Sequence, residues 1–155
     1  MILIAHRGNI AGPDPTRENT ETYLGEALEA GFHVEVDVWD VVDDGGPSAL
    51  LGHDQVLDAV HPGLLRNEHV WCHCKTLKAL EYLMRIGCRC FVHDTDLGTF
   101  TSDGFFWTAD ASNEYQLDRT VLMHAGDLLA SENAWQIQRV VGVCSDYVEN
   151  YCHHV

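Results

Sequence analysis

Phe32-His33-Val34-Glu35-Val36-Asp37-Val38-Trp39 alternates apolar side chains with two acids, and the rest of the chain can be ordered around it. Successive side chains of a strand point to opposite faces, so Glu35 and Asp37 share one face while Val34, Val36 and Val38 share the other. Two carboxylates side by side on a valine-backed strand repel unless a cation or a proton lies between them, which makes a divalent metal the natural guest. The competing reading is a sheet edge that shows water its acidic face, as antiparallel strands often do.

Other apolar runs repeat a common pattern of a short strand ending in polar residues. Ile2-Leu3-Ile4-Ala5 has no polar face, as expected of a strand covered on both sides, and ends at His6-Arg7-Gly8. A loop with Gly12, Pro13 and Pro15 leads to a predicted helix over 18–30, closed by Gly31. After the strand over 33–38, a stretch rich in Asp, Gly and Pro carries the chain to a third strand, Ala49-Leu50-Leu51, which ends at His53-Asp54. About ten extended residues at roughly 3.3 Å each could return it parallel to the others. Residues 55–68 read as irregular. The fourth strand, 69–75, places His73 and Lys75 on one face and precedes a helix over 76–86 closed by Gly87. Runs over 88–92, 104–108, 120–123 and 140–144 end in His93-Asp94, Asp110, His124 and Ser145-Asp146, with a helical stretch over 130–138 before the last.

Eight apolar strands with polar C-terminal ends predict an α/β fold, a minimal (β/α)8 TIM-type barrel lacking several outer helices, in one domain over 1–155. A typical barrel has about 250 residues, so a doubly wound open sheet is the alternative. The net charge of -15 argues against nucleic acid or an anionic membrane surface as partner. No apolar run is long enough to span a bilayer and nothing resembles a signal peptide, so the expectation is a soluble, cytoplasmic protein. The six cysteines include two C-x-C pairs, not the C-x-x-C of zinc knuckles, and most of them read as reduced core thiols.

Four motifs in order, His6-Arg7-Gly8, Glu18-Asn19-Thr20, Glu35-Val36-Asp37 and His53-Asp54, resemble the glycerophosphodiester phosphodiesterases, within the superfamily that includes phosphatidylinositol-specific phospholipase C. The likeness is strongest over 1–55 and continues more loosely through Lys75, Trp107-Thr108 and Ser145-Asp146. It implies a barrel, one divalent cation (Mg, Ca, Mn or Zn) and hydrolysis of a small glycerophosphodiester-like substrate by two histidines. Two positions depart from the family pattern: Arg17 stands where proline is usual, and His73 where a third metal carboxylate is usual.

Phosphodiester cleavage needs charge neutralisation at the phosphoryl oxygens, an activated nucleophile and a proton for the leaving alkoxide. Histidine's reference pKa near neutrality suits proton transfer in both directions, and His6 and His53 are the expected acid and base. Arg7 offers a planar donor fork to phosphate, Lys75 a compact charge and Trp107 an aromatic wall for the alcohol. Each of these has a bland alternative: with ten histidines present a lone one is more often structural, and in so acidic a chain the cations readily form surface ion pairs. Glu35, Asp37 and His73 are the expected metal ligands: direct ligation by the imidazole shifts preference toward manganese or zinc, and the alternative is that His73 only donates a hydrogen bond to a water or to Asp37, leaving a weaker hard-ion site on the two carboxylates. Glu18 and Asn19 are read as support, either structurally, with Asn19 capping the helix and Glu18 favouring its dipole, or by holding the residues of the site in place. Asp94, Asp96, Asp110, His124 and Asp146 also lie at strand ends. Two rival functions remain: a phospholipase D-like enzyme releasing a cyclic phosphate, and an inactive barrel that binds phosphate or metal.

Overall fold

In a computed structural model, residues 1–43, 45–56, 58–111, 117–124, 126, 128–130, 132 and 134–154 are described. Ten strands form one sheet: β1 (Ile2–Ala5), β2 (His33–Asp43), β3 (Pro47–Leu51), β4 (Asp58–Val60), β5 (Val70–Cys74), β6 (Cys90–Phe91), β7 (Gly98–Phe100), β8 (Phe106–Thr108), β9 (Thr120–Met123) and β10 (Gly142–Ser145). Among the described residues two α-helices accompany them, α1 (Glu21–Glu29) and α2 (Leu77–Arg85). The fold is α/β. No helix among the described residues is long and apolar enough to cross a membrane.

Parallel ladders join the strands in the order β6-β5-β2-β1-β10-β9-β8. Parallel strands therefore adjoin in chain order and the last pairs with the first, without the reversal of order that a doubly wound sheet requires. Among the described residues no ladder joins β6 to β8; instead Ser102 spans the gap, its N–H donating to Cys90 O at 2.8 Å and its Oγ accepting from Cys90 N at 3.1 Å.

The third strand corrects one expectation. β2 runs past Trp39 to Asp43, and β3 folds back antiparallel on this extension, with Val41 opposite Ala49. The Asp- and Gly-rich stretch is thus a hairpin turn, with Gly45 and Gly46 at positive φ, and not a parallel crossover. The hairpin continues into β4, inside the stretch read as irregular. β7 adds a further antiparallel strand on β8. The helix expected over 130–138 is two 3-10 turns, Leu128–Ala130 and Ala134–Arg139, with 131 and 133 outside the described residues.

Thr20 caps α1 by accepting from Tyr23 N, and Thr76 caps α2 by accepting from Ala79 N. α1 buries Leu24 and Ala27, and α2 buries Ala79 and Leu83, against the outward valines of β2 and the cysteines of β5 and β6. All five strand-associated thiols, Cys72, Cys74, Cys88, Cys90 and Cys144, are free and buried. On the other flank Tyr151 and Ile137, both on 3-10 turns, cover Leu122 and Val143. Short turns do the work of missing helices: the accessible surface is 7832 Å², against roughly 7,800 Å² expected of a compact monomer of this mass.

The inner face of the sheet is layered. Ile4, Trp71, Phe91, Trp107, Val121 and Cys144, one from each of six parallel strands, form a single buried cluster, so the sheet is rolled around them. Stepping two residues along each strand keeps the same face. That step leads to His6, His73, His93, Ala109, Met123 and Asp146, with Asp37 reached likewise from Glu35. The apolar layer is the floor on which the polar side chains stand.

Candidate active site

His6 follows the last residue of β1 and is 6 % exposed. Its Nδ1 meets Asp146 Oδ1 at 2.7 Å, leaving Nε2 directed toward Glu35 Oε2 at 3.9 Å. Burial lowers the imidazole pKa, but the Asp146 hydrogen bond and the charges of Glu35 and Asp146 outweigh it, so the value is raised. Asp146 is correspondingly lowered: burial opposes its ionisation, and the His6 and Asn9 hydrogen bonds overcome that. Asn9, fully buried, donates through Nδ2 to both Asp146 Oδ1 at 2.8 Å and Glu18 Oε1 at 2.9 Å.

Glu35 and Asp37, both almost wholly buried, stand on β2 beside His73 on β5, and one donor atom from each of the three lies within 4.8 Å of the others. His73 Nδ1 is 3.0 Å from Asp37 Oδ1 and 3.7 Å from Glu35 Oε1, while Nε2–H donates to the carbonyl of His93 at 3.0 Å. The ring stacks on Phe91 at 5.2 Å. With Nε2–H fixed on the His93 carbonyl, a protonated His73 donates Nδ1–H to Asp37, and a neutral His73 would turn the Nδ1 lone pair to a cation held between it and the carboxylates, which is how metal-binding histidines are commonly oriented.

The two carboxylates are driven apart in acidity. Burial would raise Asp37, but the hydrogen bond from His73 and the charges of His73, Lys75 and Arg7 hold it below the usual carboxylate range. Burial and the Asp37 charge push Glu35 up. Burial lowers His73, and the Asp37 hydrogen bond with the Glu35 and Asp37 charges reverses this to a raised value.

Asn19 does not cap α1. It sits in the left-handed region at φ 59, accepts from Asp37 N at 2.8 Å and donates to Asp37 Oδ2 at 3.1 Å, so it fixes the aspartate. Arg7, left-handed at φ 55, gives its backbone N–H to Glu35 Oε2 at 3.2 Å and Nη1 to Glu18 Oε2 at 3.2 Å. Gly8 follows at φ 91, where a Cβ would meet the Tyr23 ring at 3.0 Å. Arg7 Nε lies 3.1 Å from Asp37 Oδ2 but off line for a hydrogen bond, and Lys75 Nζ is 3.5 Å from Asp37 Oδ1. Both cations expected to meet phosphate are therefore engaged with carboxylates.

The fit to a divalent cation can be judged from charge. Glu18, Glu35, Asp37 and Asp146 face two fixed cations, Arg7 and Lys75, leaving a deficit of two. Protonation of both His6 and His73 would meet it, and so would one divalent ion with both imidazoles neutral. Two carboxylate oxygens and an imidazole nitrogen form a donor set suited to such an ion.

Two cavities meet at His6 and Met123. One of about 270 Å³ is lined by His6, Glu35, His73, His93, Asp94 and Trp107. The other, of about 550 Å³, has His6, Arg7, Glu18, His53 and Asp146 in its wall. His53 does share a cavity with His6, arriving on the segment after β3. Its side chain is 40 % exposed, with Nδ1 at 2.7 Å from Asp54 Oδ1. Trp107 is 4 % exposed and packs on Trp71 and Phe91, so it is a piece of core that also closes the smaller cavity. His124 meets Gly126 O at 3.2 Å, and Asp96 is exposed.

No family model matches this chain. No curated protein and no solved structure matches it either. The four motifs noted above thus carry the resemblance by themselves, and the chemistry must be argued from the site. Sequence reasoning had passed over Asn9, had marked Asp146 only as one of several strand-end candidates for lining the pocket, and had given His93 no role. The two-residue step from the apolar floor would have found the latter pair.

Proposed function

We propose that the chain is a divalent-cation-dependent phosphodiesterase acting on a small glycerophosphodiester-like substrate, built on a rolled parallel sheet of barrel type. The observation that carries this reading is the position of His6: its Nε2 faces Glu35 of the Glu35–Asp37–His73 set across one cavity, with Nδ1 anchored by Asp146. Glu35, Asp37 and His73 would hold the cation, which when bound supplies Lewis-acid stabilisation of charge on the phosphoryl oxygens. Asp146 holds His6 in the tautomer with Nδ1 protonated, so Nε2 takes a proton from the attacking hydroxyl or water. His53, across the larger cavity, returns a proton to the leaving alkoxide. Arg7 and Lys75 turn from carboxylate to phosphate as charge at the site is redistributed, and the polar cavity takes the alcohol portion. The site suits a small soluble diester in the cytoplasm, since a surface of net charge -15 repels anionic bilayers.

The exposure of His53 and its pairing with the exposed Asp54 favour one second reading, a barrel that binds phosphate and metal without turnover. Phosphorus NMR of glycerophosphodiesters incubated with the protein, with manganese, magnesium or calcium and with chelator, separates the cases. A metal-dependent monoester signal supports hydrolysis, a cyclic phosphate signal shows internal attack, and no change in any diester overturns the enzymatic reading.

A further inference from the structure

Among the described residues two buried side-chain nitrogens have no hydrogen-bond partner, Arg7 Nε and His93 Nε2. Arg7 lines the larger cavity and His93 the smaller, the two cavities sharing His6 and Met123. Buried polar atoms are almost always satisfied, so an orphan calls for a missing partner. Arg7 Nε already has the charge of Asp37 beside it at 3.1 Å. His93 Nε2 has no such neighbour.

His93 follows β6 and stands two residues beyond Phe91 of the apolar floor, on the face that carries His73 and Asp37. It lines the smaller cavity with His6, Glu35, His73 and Trp107. Its main chain is already occupied, because the His93 carbonyl accepts from His73 Nε2 at 3.0 Å. Main chain and side chain of one residue therefore face two tasks: the carbonyl orients the expected metal ligand, and Nε2 of the imidazole is left without a hydrogen-bond partner. Arg7 and Lys75 are both held by carboxylates. Neither Arg7 nor Lys75 lines this smaller cavity, so among its lining residues an anionic oxygen meets neither of those cations, and His93 can supply a donor. An anionic oxygen within reach of Nε2 favours the tautomer that carries the proton there, since Nε2–H then donates to it.

We propose that His93 is a substrate-contacting residue, its Nε2–H donating to a phosphoryl oxygen of a ligand seated in the cavity between His6 and Trp107. This rests on the phosphodiesterase reading for the nature of the ligand and adds a contact that none of the four sequence motifs contains. Because the carbonyl that holds His73 is main chain, replacing the side chain leaves metal binding in place, and the two functions of His93 separate experimentally.

The test is calorimetric titration of sn-glycerol 3-phosphate into the manganese-loaded protein, with manganese affinity measured independently on each variant. His93→Phe keeps the ring volume and removes the donor; His93→Gln keeps an N–H donor. The expected result is unchanged manganese affinity in both, a loss of at least about tenfold in glycerol 3-phosphate affinity for His93→Phe, and partial recovery in His93→Gln. Equal glycerol 3-phosphate affinity in wild type and a folded His93→Phe overturns the contact while leaving the phosphodiesterase reading standing. Wild-type protein that binds manganese but neither binds glycerol 3-phosphate nor cleaves any diester overturns both together. Should His93→Phe fail to fold, nitrogen-15 spectra of the wild-type imidazoles decide the matter: a His93 Nε2 resonance that shifts on adding glycerol 3-phosphate supports the contact, and an unmoved one refutes it.

Discussion

Asp146→Asn isolates the contact on which the proposed role of His6 depends. The wild-type carboxylate accepts from His6 Nδ1 at 2.7 Å and from Asn9 Nδ2 at 2.8 Å through the same oxygen. An asparagine keeps the volume and one acceptor oxygen, which the two donors already share, but it removes the charge that strengthens both bonds, and an amide turned to point Nδ2 at His6 selects the wrong tautomer. Loss of a charge-assisted hydrogen bond in a buried site costs about 1.5–3 kcal/mol. The pair's contribution has a defined pH window. His6 is raised, so its share is complete below its unfolded value near 6.5 and disappears as pH climbs through the folded value. Asp146 is lowered, so its share is present above its unfolded value near 3.9 and disappears as pH falls through the folded value. The variant should therefore be most destabilised, relative to wild type, between roughly pH 4 and 6.5. In turnover, a misaligned or wrongly tautomerised base lowers the rate by about 10²–10⁴, and removing the carboxylate moves the ascending limb of the pH–rate profile to lower pH. Urea unfolding across pH, proton-detected titration of the His6 ring and the rate profile measure these together. A folded Asp146→Asn with the wild-type His6 titration and the wild-type rate plateau would refute the anchoring argument.

Three other perturbations follow from separate contacts. His33 accepts from Trp71 Nε1 at 3.1 Å, and burial, with the His69 and Arg89 charges, lowers its pKa to about 4; its stability share is complete above 6.5 and lost as pH falls, about 1–2 kcal/mol after discounting for a half-buried site. Wild type should thus lose that much more than His33→Gln between pH 6.5 and 4, with Trp71 fluorescence following, and equal slopes would show the bond has no weight. Asn19→Ala removes both bonds to Asp37 and puts alanine at φ 59, so urea unfolding should show a loss of about 2–4 kcal/mol; a loss under about 0.5 kcal/mol would mean Asp37 is held by other groups. His73→Glu exchanges nitrogen for oxygen in the expected ligand set, so activity or metal affinity should gain calcium and magnesium relative to manganese and zinc, and an unchanged ranking rules out ligation by His73.

The alternation in 33–38 was enough to place Glu35 and Asp37 on one buried face, and the step between His73 and Lys75 likewise held, because strand periodicity is local. What failed was also local but ambiguous. Asp40 to Asp43, after a register shift between Val38 and Asp40, breaks the period-2 alternation with adjacent Val41 and Val42, and the Gly45-Gly46-Pro47 signal beyond it suits a hairpin as well as a crossover; only pairing with Ala49 decides. Asn19 and Thr20 are adjacent cap residues, and the choice of Thr20 depends on Asp37 claiming Asn19 from eighteen positions away. Asn9 and His6 find Asp146 across nearly the whole chain, a contact that no local spacing encodes. His53 was legible only through its motif, and the structure brings it to the cavity of His6 by the antiparallel hairpin rather than by a parallel strand.

The most direct test is anomalous diffraction at the manganese edge from crystals grown with manganese and sn-glycerol 3-phosphate. A single peak within coordination distance of Glu35, Asp37 and His73 Nδ1, with the phosphate between it and His6, is the expected result. A peak elsewhere, or none at these three side chains, would contradict the account.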